Sequence, residues 1–161
     1  MDKTNQKQLS GQLAKHLRDV HFGGTWTTVD LKATLSDVSW EEAKMSMYGI
    51  HSIAALMFHM SYYLGVMITV LEEGKLVGKD ELSWILPPIE SQDAWEQLQL
   101  NIWKEAEKTA NLVENLPDEA LTAGFVDPKY GTNYRNIAGM IEHMHYHLGQ
   151  IVLIKKLIRQ A

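Results

Sequence analysis

Residues 45–71 read MSMYGIHSIAALMFHMSYYLGVMITVL, 27 consecutive positions without Asp, Glu, Lys or Arg. Two structures accommodate such a stretch. It is long enough to span a bilayer as a helix, and it also suits the central helix of a water-surrounded bundle, which is apolar nearly all round. The segment carries Ser46, His51, Ser52, His59, Ser61, Thr69 and three tyrosines, and no second span pairs with it. The interior helix is therefore the reading adopted, over about His51 to Glu73, with Gly74 closing it in the left-handed C′ manner.

Working outward toward the N-terminus, Gly49 interrupts the pattern. Ser39 and Glu42 have the spacing of a capping box for a short helix, and Val29 to Leu35 forms another helical turn. A first long helix runs from about Thr4 to Val20, where Leu9, Leu13, Leu17 and Val20 fall on one stripe. Gly23 and Gly24 end it, and a loop passes through Trp26 and Thr27. Toward the C-terminus, Lys75 to Ile89 is a crossover closed by Pro87-Pro88, a pair that does not continue a helix. Ser91 caps a third long helix reaching about Leu116, and Pro117 stops it. Residues 118–133 connect to a last helix from about Tyr134 to Arg159, whose cations Lys155, Lys156 and Arg159 lie where the macrodipole favours them. No alternating strand pattern competes. The expected fold is all-α: one domain over residues 1–161, a four-helix bundle with long connections.

Composition narrows the chemistry. A chain of 161 residues and 18.3 kDa fits one domain, and surface scaling buries about 69 % of such a chain's surface, enough for a core without staples. There is no Cys, which excludes disulfides, zinc-thiolate sites, iron–sulfur clusters and a cysteine nucleophile. A net charge of −5 disfavours nucleic acid, whose phosphates need a basic surface. The acidic excess is concentrated in residues 91–119, with seven acids against Lys104 and Lys108, the pattern of a solvated helix face. The opening residues MDKTNQKQLS lack the apolar core of a signal peptide, so a cytoplasmic protein without a membrane partner is expected.

Seven histidines are present. His143 and His147 are four apart on the last helix, about 6 Å along its axis and on nearly one face, so both imidazoles can reach one ion. Met140, Ile141, Met144, Leu148 and Ile151 turn that face inward. His59, inside the uncharged segment, is the third candidate ligand, since a buried imidazole needs a partner. The pattern equally allows His59 a hydrogen bond within the core and makes the HxxxH pair a coincidence. His145 points to the opposite side, and His16, His21 and His51 read as surface or capping residues. A di-iron site needs a second E-x-x-H besides that of Glu142 and His145, and the chain has none. HExxH, GxSxG, Walker and GxGxxG motifs are absent. Bis-histidine haem ligation leaves one histidine unused.

The last helix, His143-Met144-His145-Tyr146-His147-Leu148-Gly149-Gln150-Ile151, resembles the HxxYHxGQI motif of the DinB/YfiT-like superfamily. The block Ile53 to Tyr63 resembles that family's second-helix histidine motif, and Gly24 to Lys32 resembles a loop found in one branch. The resemblance implies an up-down-down-up four-helix bundle that holds one divalent metal, zinc or nickel, on His59, His143 and His147. It also implies a homodimer. Members of the family include bacillithiol S-transferases and a mycothiol-dependent maleylpyruvate isomerase, so the implied activity is transfer of an external low-molecular-weight thiol to a small electrophile.

Three neutral histidines leave a metal an open position, as in catalytic rather than closed structural sites. That position suits a water, and hence a metal-dependent hydrolase, or a thiol, which a metal deprotonates. No protein side chain is assigned as nucleophile or base. Tyr63, one turn after His59, and Trp26, if its loop folds over the metal, are the expected pocket residues. The other reading is a non-catalytic, stress-associated metal- or small-ligand-binding protein whose ion ties two helices together. Glu142 lies about 100° round the helix from His143 and is badly placed as a base.

Overall fold

The computed structural model describes residues 9–161. Among these residues there are seven α-helices: α1 (Leu9–Phe22), α2 (Leu31–Leu35), α3 (Trp40–Lys44), α4 (Ile53–Glu73), α5 (Gln92–Glu114), α6 (Asp118–Thr122) and α7 (Asn133–Gln160). Among the described residues there is no strand, only an isolated bridge between Gly124 and Thr132. The all-α expectation holds. The expected first-helix residues 4–8 lie outside the described residues.

Most expected boundaries fall within two residues of those observed, because the capping chemistry is present. Ser39 accepts from the Glu42 amide, and the Glu42 side chain returns to the Ser39 amide. The Ser52, Ser91 and Thr132 side chains accept from the Ala55, Ala94 and Arg135 amides and so cap α4, α5 and α7, without the return bond. Such a cap satisfies an amide that has no carbonyl partner within the helix. Gly74 adopts φ 65°, ψ 29°, and its N–H donates to the Val70 carbonyl, ending α4. The connections are more ordered than the sequence indicates. Residues 80–84 form a 3-10 turn, Asp118–Thr122 is helical, and Pro128–Tyr130 is a second 3-10 turn.

The four long helices share one core. α1 packs on α5 and α7, and α4 packs on the same two helices. Leu17 and Val20 of α1, Met57, Met60 and Leu64 of α4, Ile102 and Val113 of α5, and Ile137, Met144 and Ile151 of α7 are all essentially solvent-free. Each such side chain contributes roughly 1.5–3 kcal/mol of transfer free energy. Trp95 is fully buried on α5, and its indole N–H donates to the Val38 carbonyl at 2.9 Å, tying the α2–α3 connection to the core. Several side-chain contacts fix how the helices lie: Leu9 and Ser10 N–H to Asp118, Arg18 to Glu107 and Glu114, Phe22 against Trp103, and Lys108 to Glu72.

α4 is the one helix among the described residues with the length and apolarity to cross a membrane. Half of its most apolar window is buried inside the protein. Its polar side chains face protein partners: Ser61 donates to Glu105 of α5, and His59 meets α7. This is the placement expected of an interior helix.

Candidate metal centre

His59 projects from the middle of α4, and His143 and His147 project from α7. The two helices pack together and bring the three imidazoles to one point. The His59 and His143 Nε2 atoms are 3.0 Å apart, and those of His143 and His147 are 2.8 Å apart. One nitrogen from each of the three lies within 4.8 Å of the others. His59 and His147 are buried and His143 half-buried. The i, i+4 spacing on α7 and the lone histidine of α4 thus converge as the sequence indicates.

The outward nitrogens show which protons the rings carry. The Ser83 hydroxyl donates to the Asp80 carbonyl at 2.6 Å, so toward His59 Nδ1, 2.8 Å away, it is the acceptor. His59 therefore carries its proton on Nδ1 and turns the Nε2 lone pair inward. On His147, Nδ1 lies 2.6 Å from Gln150 Oε1, an acceptor, which places that proton outward too. Two lone pairs then face His143 Nε2, and a single N–H at that atom satisfies at most one of them well. Left as a hydrogen-bond cluster, the site is short of protons.

A cation removes the shortage, and the donor set fits one. Imidazole nitrogens at about 2.0–2.1 Å from a tetrahedral zinc are about 3.3 Å apart, so the observed 2.8 and 3.0 Å separations need to open by only a few tenths of an ångström. Ser83 and Gln150 orient the ligand rings from outside, as partners of metal-bound histidines do. The electrostatics agree. Burial first, and then His143 and His147, pull the His59 imidazole down to about 4. Burial and His147 bring His143 to about 4, and burial lowers His147. Neutral imidazoles are the ligating form.

Aromatic rings hold His59 in place. Trp84 stacks on it at 3.8 Å between centroids, and His51 covers the other face of the indole at 4.0 Å. Tyr63 stands edge-on to His59 and His143 at 5.0 and 5.2 Å. Its hydroxyl donates to Asp80 Oδ1 at 2.6 Å. Burial and that bond push the Tyr63 phenol up to about 12, so it remains a donor.

A cleft of about 870 Å³ opens beside the triad, with His59, Tyr63, Asp80 and His143 at one end and apolar side chains of α4 and α7 along its walls. Tyr63 lies in that wall. Trp26 does not: it is 98 % exposed and apart from the cleft. The expected loop over the metal fails for a local reason. Gly23 and Gly24 turn left-handed, and Thr25 Oγ1 bonds both the N–H and the carbonyl of Val29, so the loop closes on itself.

The other histidines fall as follows. His16 is exposed and His145 half-buried. His51 is exposed, though its ring is used in the stack. His21 corrects the surface reading: it is fully buried between Phe22 and Trp103, with Nδ1 at 2.7 Å from the Leu17 carbonyl. Glu142 is exposed and turned outward. Sequence reasoning missed Ser83, Trp84 and Gln150. Gln150 is three residues beyond His147, a spacing that brings side chains together on a helix, whereas Ser83 and Trp84 lie in the crossover and carry no periodic signal.

No protein-family model, curated protein or solved structure matches the chain.

Proposed function

We propose that the chain is a metal-dependent S-transferase of DinB-like architecture that joins an external low-molecular-weight thiol to a small electrophile. The observation that carries the reading is the convergence of the Nε2 atoms of His59, His143 and His147, the first and last with their lone pairs turned inward by Ser83 and Gln150, beside an open cleft. The up-down-down-up arrangement is supported by the contact pattern. The start of α1 meets Asp118, the first residue of α6 a few residues beyond the end of α5, and its end meets the middle of α5, as in an antiparallel pair. Ser61 and Glu72 of α4 meet Glu105 and Lys108 in ascending order, as in a parallel pair.

His59, His143 and His147 hold a divalent ion, zinc or nickel, whose positive charge favours thiolate over thiol. The remaining work belongs to the protein's own groups. Ser83 and Gln150 keep the ligand rings in the inward-facing tautomer. Tyr63 and Trp84 pack the histidines and limit water around them. In the reaction the S–H bond breaks, its proton passing to solvent and its electron pair staying on sulfur. The carbon–sulfur bond forms from that pair as the bond from carbon to the leaving group breaks, and the leaving group departs with its electron pair. The chain needs no nucleophile of its own, in keeping with its lack of Cys. The resemblance further carries a homodimer, which sedimentation checks.

A non-catalytic role, with the ion tying α4 to α7, is favoured by one observation: Asp80, the carboxylate at the triad's end of the cleft, is engaged by the Tyr63 hydroxyl. The two readings separate in one assay. Zinc- or nickel-loaded protein is incubated with monochlorobimane and a panel of small thiols, beside His59→Ala. Conjugate formation that requires both the metal and His59 supports transfer. Full metal loading with no conjugate above the uncatalysed rate, across the panel, supports the tether.

A further inference from the structure

Arg135, Gly139, His143 and His147 succeed one another at four-residue intervals on α7. Such a stripe drifts only about 40° per step round the helix. A Cβ built on Gly139 would lie 2.7 Å from Arg135 Nη1, so the guanidinium lies back over the glycine, toward His143. Gly139 precedes His143 by about 6 Å along the axis. The cleft that begins at His59 and His143 continues to Arg135, with Val66, Val70 and Met140 between.

The charge there runs against that of the molecule. On a chain of net −5, the cleft is lined by Lys79, Lys129 and Arg135 against the single carboxylate Asp80. Asp80 is occupied by Tyr63, and Lys129 pairs with Asp127 at 3.1 Å. Arg135 has only a loose contact with Glu142, at 3.9 Å. Among the described residues no carboxylate pairs with Lys79. Two cations are thus available beside an apolar wall, within reach of the triad.

We infer that the cleft takes a small ligand bearing a carboxylate, held by Arg135 with Lys79, whose other end reaches the histidine triad about 6 Å further along α7. Guanidinium and carboxylate match as a bidentate pair, and the apolar wall covers a short carbon spacer. The identity of the other end, a thiol, rests on the function proposed above. Carboxylate recognition does not depend on it.

Zinc-loaded protein is titrated calorimetrically with mercaptosuccinate, 2-mercaptoethanol, cysteamine and thiol-free succinate, and the titrations are repeated with Arg135→Gln and Lys79→Gln at equal zinc content. The expected order is mercaptosuccinate about ten-fold tighter than 2-mercaptoethanol, with cysteamine weakest. The preference collapses in Arg135→Gln. Equal affinity for the three thiols overturns carboxylate recognition and leaves the thiol reading standing, as does a mercaptosuccinate preference that survives both substitutions. Binding of succinate that depends on Arg135, with no added affinity from any thiol, supports carboxylate recognition and removes the thiol reading. If no compound binds, both fall.

Discussion

At the scale of single residues, the site depends on a hydroxyl that lies far from its partner in sequence. Ser83 accepts from His59 Nδ1 because its own proton is already given to the Asp80 carbonyl. Removing it frees the His59 ring to choose the wrong tautomer, and outer partners of this kind are worth 10–100-fold in metal affinity. Ser83→Ala should weaken zinc binding by about that factor in a chelator competition, whereas Ser83→Thr, which keeps the hydroxyl, should lose far less. Unchanged affinity in Ser83→Ala contradicts the orienting role. The three histidines that converge were legible in the sequence: two by their helical spacing, the third because an imidazole in an uncharged segment needs a partner. Ser83 and Trp84 were not, since only the tertiary path of the crossover sets them against α4. Trp26 misled for the converse reason, its loop being held by its own Thr25–Val29 bonds.

At the scale of elements, local chemistry set most boundaries and long-range contact set the rest. Ser39 and Ser91 cap α3 and α5 as their sequence positions indicate, and Ser52, which the sequence reading placed inside the helix, caps α4. Ser52→Ala removes the acceptor for the Ala55 amide at the start of the helix that carries His59. It should cost about 1 kcal/mol, read as a lower urea midpoint with an unchanged slope. A midpoint equal to the parent's contradicts the capping role. The short helix α6 escaped the sequence reading, although Pro117 followed by Asp118 and Glu119 is a usable start signal. Its Asp118 has a second role invisible to local patterns. It accepts from the Leu9 and Ser10 amides, capping α1 from 108 and 109 residues away. Tertiary capping of that kind leaves no spacing to read.

At the scale of the whole molecule, burial of imidazoles sets the acid limit. His21 is enclosed by the core; burial, partly opposed by the Leu17 carbonyl, holds it down at about 4. Among the described residues its Nε2 has no hydrogen-bond partner. The unfolded chain takes up a proton near the ordinary 6.5 that the folded state refuses until about 4. This contribution to stability is therefore fully present above pH 6.5 and declines as the pH falls through that window. His59 and His143 act in the same direction when no metal is bound. Urea midpoints at pH 7 and pH 5 should fall for the parent and fall less for His21→Leu. Equal declines in the two proteins contradict neutral burial of His21. The same molecule presents three neutral imidazoles to one point between α4 and α7, and whether they hold an ion decides the functional account. The most direct measurement is elemental analysis of the purified protein beside a His143→Ala/His147→Ala variant, each after incubation with zinc or nickel and removal of excess. The account predicts about one metal per chain in the parent and none in the variant. A parent that remains metal-free, or a variant that binds as much, contradicts it.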